Sequence, residues 1–133
     1  MPSLPIIVSD PKLLRNVYMN LLTNAIKYTS KNGLVSLKIS KTKTGIISTI
    51  SDTGIGIPKK DQKKIFSRFF RAENAGEKVT DGNGLGLYLV KSIIDVLNGK
   101  INFKSEEGIG STFTFWLPIK NVSAKKGEVS IDS

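Results

Sequence analysis

Histidine and cysteine are both missing from this chain of 133 residues. Without cysteine it has no disulfide, no thiolate metal ligand and no thiol nucleophile. Without histidine it lacks the commonest general base and the commonest metal ligand of proteins. No apolar run approaches the roughly 20 residues that a membrane-spanning helix needs, and no signal-peptide pattern opens the sequence. We therefore expect a soluble piece of protein whose chemistry relies on other side chains.

Acidic residues are also scarce, with 11 against 20 lysines and arginines and a formal net charge of +9. Strong basicity is typical of proteins that bind nucleic acid or an anionic membrane surface. The lysines are spread along the chain, however, and no stacking aromatic residues are interleaved with them. The charge therefore favours a solvated surface that binds a smaller anion, and a nucleic-acid module remains an alternative that rests on charge alone.

The pattern of apolar residues predicts one α+β domain over residues 1–120, followed by a polar tail over residues 121–133. Asp10 as N-cap and Pro11 at the first helical position start a helix that runs to about Thr29. Strands are predicted at residues 5–8, 34–40, 46–52, 100–105 and 111–118. We expect a two-layer α/β sandwich with a mixed, mostly antiparallel sheet covered on one face by about three helices.

Two further helices complete the predicted layer. One begins at Pro58 and covers the stretch "KKDQKKIFSRFF". The other follows the glycine-rich stretch near residue 84 and ends at an Asn98–Gly99 cap. Its buried side is predicted to consist of Leu85, Leu89, Ile93 and Leu97.

A polar row lies along the first predicted helix. Asn16, Asn20 and Asn24 are spaced four apart and share one face, which Lys27 and Tyr28 continue one turn later. An ordinary solvated helix face explains such a row. A functional alternative is that an asparagine oxygen ligates Mg²⁺, which also takes substrate phosphates as ligands, while the lysine meets a phosphate as a point charge. The row by itself leaves both interpretations open.

The stretch "SDTGIGIP" places a carboxylate at the end of a predicted strand and two glycines directly after it. Asp52 is thereby set beside exposed backbone at Gly54 and Gly56. A carboxylate can accept a hydrogen bond from an exocyclic amine such as that of adenine. The alternative is a tight turn that uses aspartate and glycine for conformational reasons.

The stretch "DGNGLGLYLVKSIIDVLNG" sets Gly82, Gly84 and Gly86 directly before an apolar helix. A dinucleotide fingerprint has the spacing G-x-G-x-x-G and follows a strand. Here the spacing is G-x-G-x-G, and the polar residues before it have no strand pattern. A phosphate-binding loop and a simple turn both remain open from this stretch alone.

Five stretches together resemble a known family. "NLLTNAIKYT", "DTGIGI", "IFSRFFRAEN", "GNGLGLYLVKSI" and "GIGSTFTFWLP" are similar, in this order, to the N, G1, F, G2 and G3 boxes of sensor histidine kinases. Each box alone is a weak signal, whereas five in order with ordinary spacings are specific. The resemblance implies the ATP-binding fold shared by gyrase, the ninety-kilodalton heat-shock chaperone, histidine kinases and the MutL mismatch-repair proteins.

The resemblance implies a role for each part of the site. Asp52 accepts a hydrogen bond from the adenine amino group, Asn24 ligates Mg²⁺, and the G2 glycines let backbone N–H groups approach the triphosphate at a helix N-terminus. Residues 72–83 are similar to the ATP lid of the family. The implied nucleotide-binding residues are Asn24, Lys27, Tyr28, Asp52, Gly54, Gly56, Gly82, Asn83, Gly84, Leu85, Gly86 and Ser111, and the implied catalytic residues are Asn20, Lys27, Arg68 and Arg71.

Arg71 fits the usual F-x-R ending of the F box better than Arg68. Asn83 replaces the threonine of the usual G2 box, and because asparagine tolerates left-handed backbone and keeps a hydrogen-bonding side chain, we expect binding to survive. The phosphoacceptor histidine of a complete kinase is missing, so the chain cannot phosphorylate itself on histidine. It looks like the catalytic domain of a longer protein.

The resemblance implies an enzyme that binds Mg²⁺ and ATP and transfers the γ-phosphoryl group to a histidine on a separate dimerisation domain, with a response regulator receiver domain downstream. It implies work in the cytoplasm, as part of a membrane-bound sensor, with no nucleic acid and no direct membrane contact. Asn20 stands where hydrolysing relatives such as gyrase carry a water-activating glutamate, so we expect slow hydrolysis. The alternative is a stand-alone serine kinase of the anti-sigma-factor type, which typically keeps that glutamate.

Overall fold

The structure is a computed structural model, which describes residues 10–68 and 86–119. The strand expected at residues 5–8, the lid-like stretch 72–83 and the tail 121–133 lie outside the described residues, and the division into domain and tail stays a prediction. The elements in chain order are α1 (Pro11–Lys27), β1 (Val35–Lys41), β2 (Gly45–Asp52), a short 3₁₀ helix (Lys59–Lys64), α2 (Gly86–Val96), β3 (Lys100–Glu106) and β4 (Gly110–Pro118).

The four strands form one sheet in the order β1-β2-β4-β3. Two hairpins, β1–β2 and β3–β4, are joined because β2 and β4 also pair along their whole lengths, from Gly45 opposite Pro118 to Asp52 opposite Ser111. Every pairing among the described strands is antiparallel. The sheet was expected to be mixed and mostly antiparallel, and its described strands include no parallel pair. The α+β sandwich itself is confirmed.

One face of the sheet is covered by α1 and α2, and the core lies between these two layers. On β2 and β4 the alternation of side chains points every second residue into this core, and burying each large apolar side chain contributes roughly 1.5–3 kcal/mol. No helix in the described parts of the chain is long and apolar enough to cross a membrane. The buried apolar residues are Val17, Leu21, Ala25, Ile46, Ile50, Ile65, Val90, Ile93, Ile94, Phe113, Phe115 and Leu117.

The start of α1 follows the sequence prediction. Asp10 is the N-cap, and its Oδ1 accepts a hydrogen bond of 2.8 Å from the Lys12 N–H. Pro11 occupies the first turn, where its missing N–H costs nothing. The helix ends at Lys27 with Tyr28 as C-cap, so it is slightly shorter than expected.

The helix expected from Pro58 through the F box is wrong. Pro58 has φ −55° and ψ 141°, which is an extended conformation, and the six-residue 3₁₀ helix Lys59–Lys64 follows it. Gln62 turns back toward the preceding loop, where its Nε2 donates to the Ile57 carbonyl at 3.0 Å. The segment is therefore held to the loop before it rather than continuing as a regular α-helix.

The predicted buried side of α2 is also wrong at Leu89, which is 40% exposed, and Leu85 lies outside the described residues. Ile93 is buried as predicted and Leu97 packs against the core, whereas Val90 and Ile94 take the place of Leu89 on the buried side. A row at strict four-residue spacing drifts by about 40° per step around a helix of 3.6 residues per turn. Spacings that alternate between three and four residues stay on one side, and this helix packs through such a stripe.

The end of α2 confirms the predicted cap. Asn98 has φ 63°, the left-handed conformation that asparagine tolerates. The Gly99 N–H donates to the Ile94 carbonyl at 2.8 Å and the Asn98 N–H to the Asp95 carbonyl at 3.1 Å. This pair of hydrogen bonds is the Schellman motif.

A pair of alanine substitutions on α2 checks which side of this helix packs into the core. Ile94→Ala should lower the free energy of unfolding by about 2–5 kcal/mol, because it opens a cavity in the core. Leu89→Ala, at an exposed site of the same helix, should change it by less than about 1 kcal/mol. Urea denaturation of both variants measures the difference, and equal losses would show that the α2 packing described above is incorrect.

Candidate functional site

Asp52 is the last residue of β2, and it lies on the covered face of the sheet. It follows Ile46, Ser48 and Ile50 in the row of inward-facing residues. These three are buried, whereas Asp52 is half-buried because the covering layer ends there. The core row therefore ends in a carboxylate that is accessible at the edge of the sandwich.

The surroundings of this carboxylate have two opposing effects on its charged form: burial destabilises it, and hydrogen bonds stabilise it. Burial raises the pKa of Asp52 above its ordinary value of 3.8, while hydrogen bonds from the backbone N–H groups of Gly54 and Ser111 lower it. The bond from the Gly54 N–H to Oδ1 is 2.8 Å long. A carboxylate has about four lone-pair sites, so two donors leave Asp52 able to accept a further hydrogen bond.

Residues 53–57, which we call the G1 turn, approach the end of α1 too closely for a side chain. The Ile55 N–H donates to the Tyr28 carbonyl at 3.1 Å. A Cβ on Gly54 would collide with that same carbonyl oxygen, and Gly56 has φ +69° and faces the Glu106 carbonyl. The glycines predicted to expose backbone to a ligand therefore also satisfy a packing requirement within the protein.

The G1 turn is fixed from both flanks as well. On one side the Thr53 N–H donates to the Leu34 carbonyl at 3.0 Å, and on the other the Gly108 N–H donates to the Ile55 carbonyl at 2.7 Å. Asp52 is thus followed by a turn whose backbone forms hydrogen bonds with the end of α1, with the residue before β1 and with the β3–β4 turn. Such a support holds a binding group in place before any ligand arrives.

The asparagine row of α1 reaches the beginning of α2. Asn20 donates from Nδ2 to the Asn16 carbonyl at 2.8 Å, and its Oδ1 lies 3.2 Å from where a Cβ on Gly86 would be. Asn20 and Asn24 are half-buried, whereas Asn16 is exposed. The row is therefore more than a solvated face, because its middle part contacts a neighbouring helix.

The end of the same row lies at the G1 turn. Asn24 is half-buried, and none of the described residues forms a hydrogen bond with its side chain. Lys27 is the last residue of α1 and Tyr28 its C-cap, and both are half-buried. The helix α1 therefore contacts both parts of the site. Asn20 lies beside Gly86 at the start of α2, and the Tyr28 carbonyl accepts a hydrogen bond from the G1 turn, which follows Asp52.

Ser111 lies directly opposite Asp52 in the sheet register and is only 8% exposed. Its Oγ is 2.7 Å from the Oγ of Ser105 on the neighbouring strand. The sequence reasoning missed Ser105, although a signal was present. Ile101, Phe103 and Ser105 form the inward row of β3, so a polar residue ends that row just as Asp52 ends the row of β2.

Arg68, one of the two arginines implied to be catalytic, contacts α2. Its Nη2 donates to the Tyr88 Oη at 3.1 Å, and its guanidinium carbon lies 5.0 Å from the centroid of the Tyr88 ring. The hydrogen bond and the charge of Arg68 lower the pKa of Tyr88. Sequence reasoning gave no role to Tyr88, and the contact connects the F box with the G2 helix.

Several predicted site residues cannot be placed in this arrangement. Arg71, Gly82, Asn83, Gly84 and Leu85 lie outside the described residues. Their roles, and those of the placed residues, stay predictions. What the structure brings together is Asn20 with Gly86, Tyr28 with the G1 turn, and Asp52 with Ser111.

Comparison with known proteins gives the family. Residues 9–121 match the model of the histidine kinase-, DNA gyrase B- and HSP90-like ATPases. Over 110 residues the chain is 41% identical to the circadian input-output histidine kinase CikA of Synechococcus elongatus, covering 83% of this chain and 15% of that protein.

Solved structures agree with the sequence match. The mycobacterial sensor histidine kinase MprB aligns with a TM-score of 0.77 at 27% identity, over 86% of this chain and 77% of the other. Full-length ShkA, solved in complex with AMPPNP, aligns with a TM-score of 0.73 at 32% identity, over 87% of this chain and 23% of the other.

The chain therefore belongs to the histidine kinase-, DNA gyrase B- and HSP90-like ATPase family. Within it, the chain is a domain of the histidine kinase type, and its structural neighbours are catalytic domains of sensor histidine kinases. It spans only 15% of the length of CikA.

The raised pKa of Asp52 predicts how stability depends on pH. Between the ordinary value of 3.8 and the higher value in the fold, the folded chain binds more protons than the unfolded chain. The free energy of unfolding therefore falls as pH rises through this range. Asp52→Asn removes this contribution, so without ligand it should be more stable than the parent at pH 7, and the difference should shrink on acidification.

Thermal unfolding from pH 3 to pH 7 measures the effect. Asp95→Asn is the matched control, because Asp95 is exposed and forms an ion pair with Lys91 at 2.7 Å on the surface of α2. A variant at Asp52 that is less stable than the parent at pH 7 would show that burial does not dominate at this carboxylate.

Proposed function

We propose that the chain binds ATP with Mg²⁺ and transfers the γ-phosphoryl group to a histidine on a separate domain. The observation that carries this proposal is the half-buried Asp52 carboxylate, which ends the core row and retains acceptor capacity beside a fixed glycine turn. A site that is partly removed from water strengthens the hydrogen bonds made in it.

In this proposal, Asp52 selects adenine over guanine. The 6-amino group of adenine donates a hydrogen bond, which a carboxylate accepts. Guanine has a carbonyl oxygen at that position, and two acceptors facing each other repel. Since Asp52 accepts its protein hydrogen bonds from backbone N–H groups, its remaining lone pairs can serve the base.

The phosphates are expected toward the start of α2. Backbone N–H groups at the N-terminal end of a helix attract anions, and Gly86 at the start of α2 lies beside Asn20. From Asn20 to Tyr28 the rise along α1 is about 12 Å, so this one helix borders both the start of α2 and the G1 turn. The base at Asp52 and the phosphates near Gly86 are therefore both within reach of α1.

The residues on this face fit a magnesium ion. Asn24 offers a neutral amide oxygen that is not used by the described residues, and Mg²⁺ commonly takes few protein ligands beside waters and substrate phosphates. The ion, when bound, neutralises charge on the phosphates. Lys27, at the end of α1, would have to extend its long side chain back along the helix to meet a phosphate as a point charge.

Asn20 favours transfer over hydrolysis. A carboxamide cannot deprotonate a water, and the Asn20 Nδ2 already donates to the Asn16 carbonyl. Phosphoryl transfer depends mainly on positioning and on charge neutralisation, so the chain should retain ATP until an acceptor arrives. Because the sequence contains no histidine, the acceptor must come from a dimerisation domain outside it. A response regulator would receive the phosphoryl group next, in the cytoplasm.

The first prediction of this proposal concerns binding. Calorimetric titration with a non-hydrolysable ATP analogue and Mg²⁺ should give saturable binding to the parent chain. Asp52→Asn should weaken it by roughly 1–3 kcal/mol, because the new amide donor faces the amino group of adenine. Asp95→Asn should bind as the parent does, and loss of binding in both variants, or unchanged affinity at Asp52, would contradict the assignment of the adenine site.

The second prediction concerns transfer. Incubation with γ-labelled ATP and a histidine-bearing dimerisation domain should label that domain with an acid-labile phosphate. Asn24→Ala should abolish both the labelling and the dependence of nucleotide binding on Mg²⁺. Acid-stable label would instead indicate a serine kinase, and sustained ATP turnover by the chain alone near about 1 s⁻¹ would contradict the role given to Asn20.

A further inference from the structure

Arg68 and Tyr88 form a contact between the F box and the start of α2. The Arg68 Nη2 donates to the Tyr88 Oη at 3.1 Å, and the guanidinium carbon lies 5.0 Å from the centroid of the Tyr88 ring. The first contact is a hydrogen bond, and the second lies within the range of a cation–π interaction. Because both involve the same aromatic side chain, together they define where the end of the long arginine side chain lies.

The backbone that carries Arg68 is held independently of this contact. Phe66 packs edge-on against Phe103 and Phe113, with ring centroids 6.0 and 6.4 Å apart. Arg68 follows two residues later, and its side chain is exposed. Loss of the Tyr88 side chain should therefore release the arginine side chain and leave the start of the F box in place.

The contact places a positive charge at the N-terminal end of α2. Tyr88 is the third residue of this helix, and because helical side chains lean toward the N-terminus, its ring extends back toward that end. The helix dipole disfavours a cation there. Within the described part of the chain no carboxylate pairs with Arg68, and Asp95 on the same helix pairs with Lys91. Tyr88 thus holds the arginine in an unfavourable field that a bound anion would compensate.

We propose that Tyr88 is a positioning residue for Arg68, which it holds at the start of α2 so that the guanidinium meets the terminal phosphate of the nucleotide. This inference rests on the proposed function, which expects the phosphates near Gly86 at the same end of α2. An arginine that is already held in place loses less side-chain entropy on binding a phosphate than a free one does. Tyr88 therefore raises the affinity for a nucleotide with a γ-phosphate, and it acts through Arg68.

The test compares AMPPNP with ADP, each with Mg²⁺, by calorimetric titration of the full chain. We call the ratio of the two affinities the γ-phosphate preference. Arg68→Ala should lower this preference by about 10-fold, the lower end for a hydrogen bond to a charged group, because the site is exposed. Tyr88→Leu should lower it by about 3- to 10-fold, because the arginine remains but is no longer held in place. The affinity for ADP should change little in either variant.

The double variant shows whether Tyr88 acts through Arg68. Where Arg68 is already alanine, Tyr88→Leu should cause no further loss of the preference, because the arginine that it positions is gone. Additive losses would show that Tyr88 acts on the nucleotide by another route, and they would overturn the inference. If Tyr88→Leu does not fold, Tyr88→Phe, which keeps the ring and loses the hydrogen-bond acceptor, takes its place in both comparisons.

Lys91→Ala is the matched control for the loss of charge. Like Arg68→Ala it removes one positive charge near α2, but Lys91 forms its ion pair with Asp95 at 2.7 Å on the surface of the helix. The control should leave the γ-phosphate preference unchanged. A loss as large as that of Arg68→Ala would show an effect of net charge alone, which contradicts a specific role for Arg68 and Tyr88.

The outcomes separate this inference from the proposed function. A parent that binds neither nucleotide overturns both. A parent that binds both nucleotides, with a γ-phosphate preference that Arg68→Ala or Tyr88→Leu leaves as it was, overturns the role of Tyr88 alone. An equal loss of affinity for AMPPNP and ADP would show a merely structural contact, which likewise contradicts the inference.

Discussion

The partial burial of one carboxylate is the constraint on which the rest of this site depends. Removing a charge from water is costly unless hydrogen bonds compensate it, so the chain around Asp52 must supply backbone N–H groups. Gly54 and Ser111 supply them from segments far apart in the sequence. The close approach of the G1 turn to the Tyr28 carbonyl then requires glycine. The backbone conformation that brings the Gly54 N–H to the carboxylate is therefore the same one that requires glycine at this position.

The helix α1 serves both stability and function through its two sides. Val17, Leu21 and Ala25 pack into the core, and the neighbouring row carries Asn20 beside Gly86 at the start of α2 and Asn24, which is a magnesium ligand in our proposal. Because the two rows share one rigid element, the core sets the distance between the ends of the site. A cavity beneath α1 would consequently displace the asparagines, and loss of stability and loss of affinity should be correlated at these positions.

Local signals in the sequence predicted much of this fold, and tertiary contacts account for most of the rest. The Asp10 cap and the Asn98–Gly99 end depend on neighbouring residues, and they were confirmed. The exposure of Leu89 depends on how α2 packs against α1 and the sheet, which periodicity alone does not show. Likewise, the contact of Arg68 with Tyr88 joins residues 20 positions apart, and no local pattern predicts it.

Two part-buried hydroxyl pairs on the covered face differ in their surroundings. Tyr18 and Ser48 are 2.5 Å apart, and Ser48 has no exposed surface, so burial raises the pKa of Tyr18 and the pair only satisfies its own polar atoms within the core. Ser105 and Ser111 have similar chemistry, but they end their rows next to the half-exposed Asp52. There the pair adjoins a carboxylate that is accessible at the edge of the sandwich. The same kind of hydroxyl pair thus fills the core in one place and supports the surroundings of Asp52 in the other, where the covering layer stops.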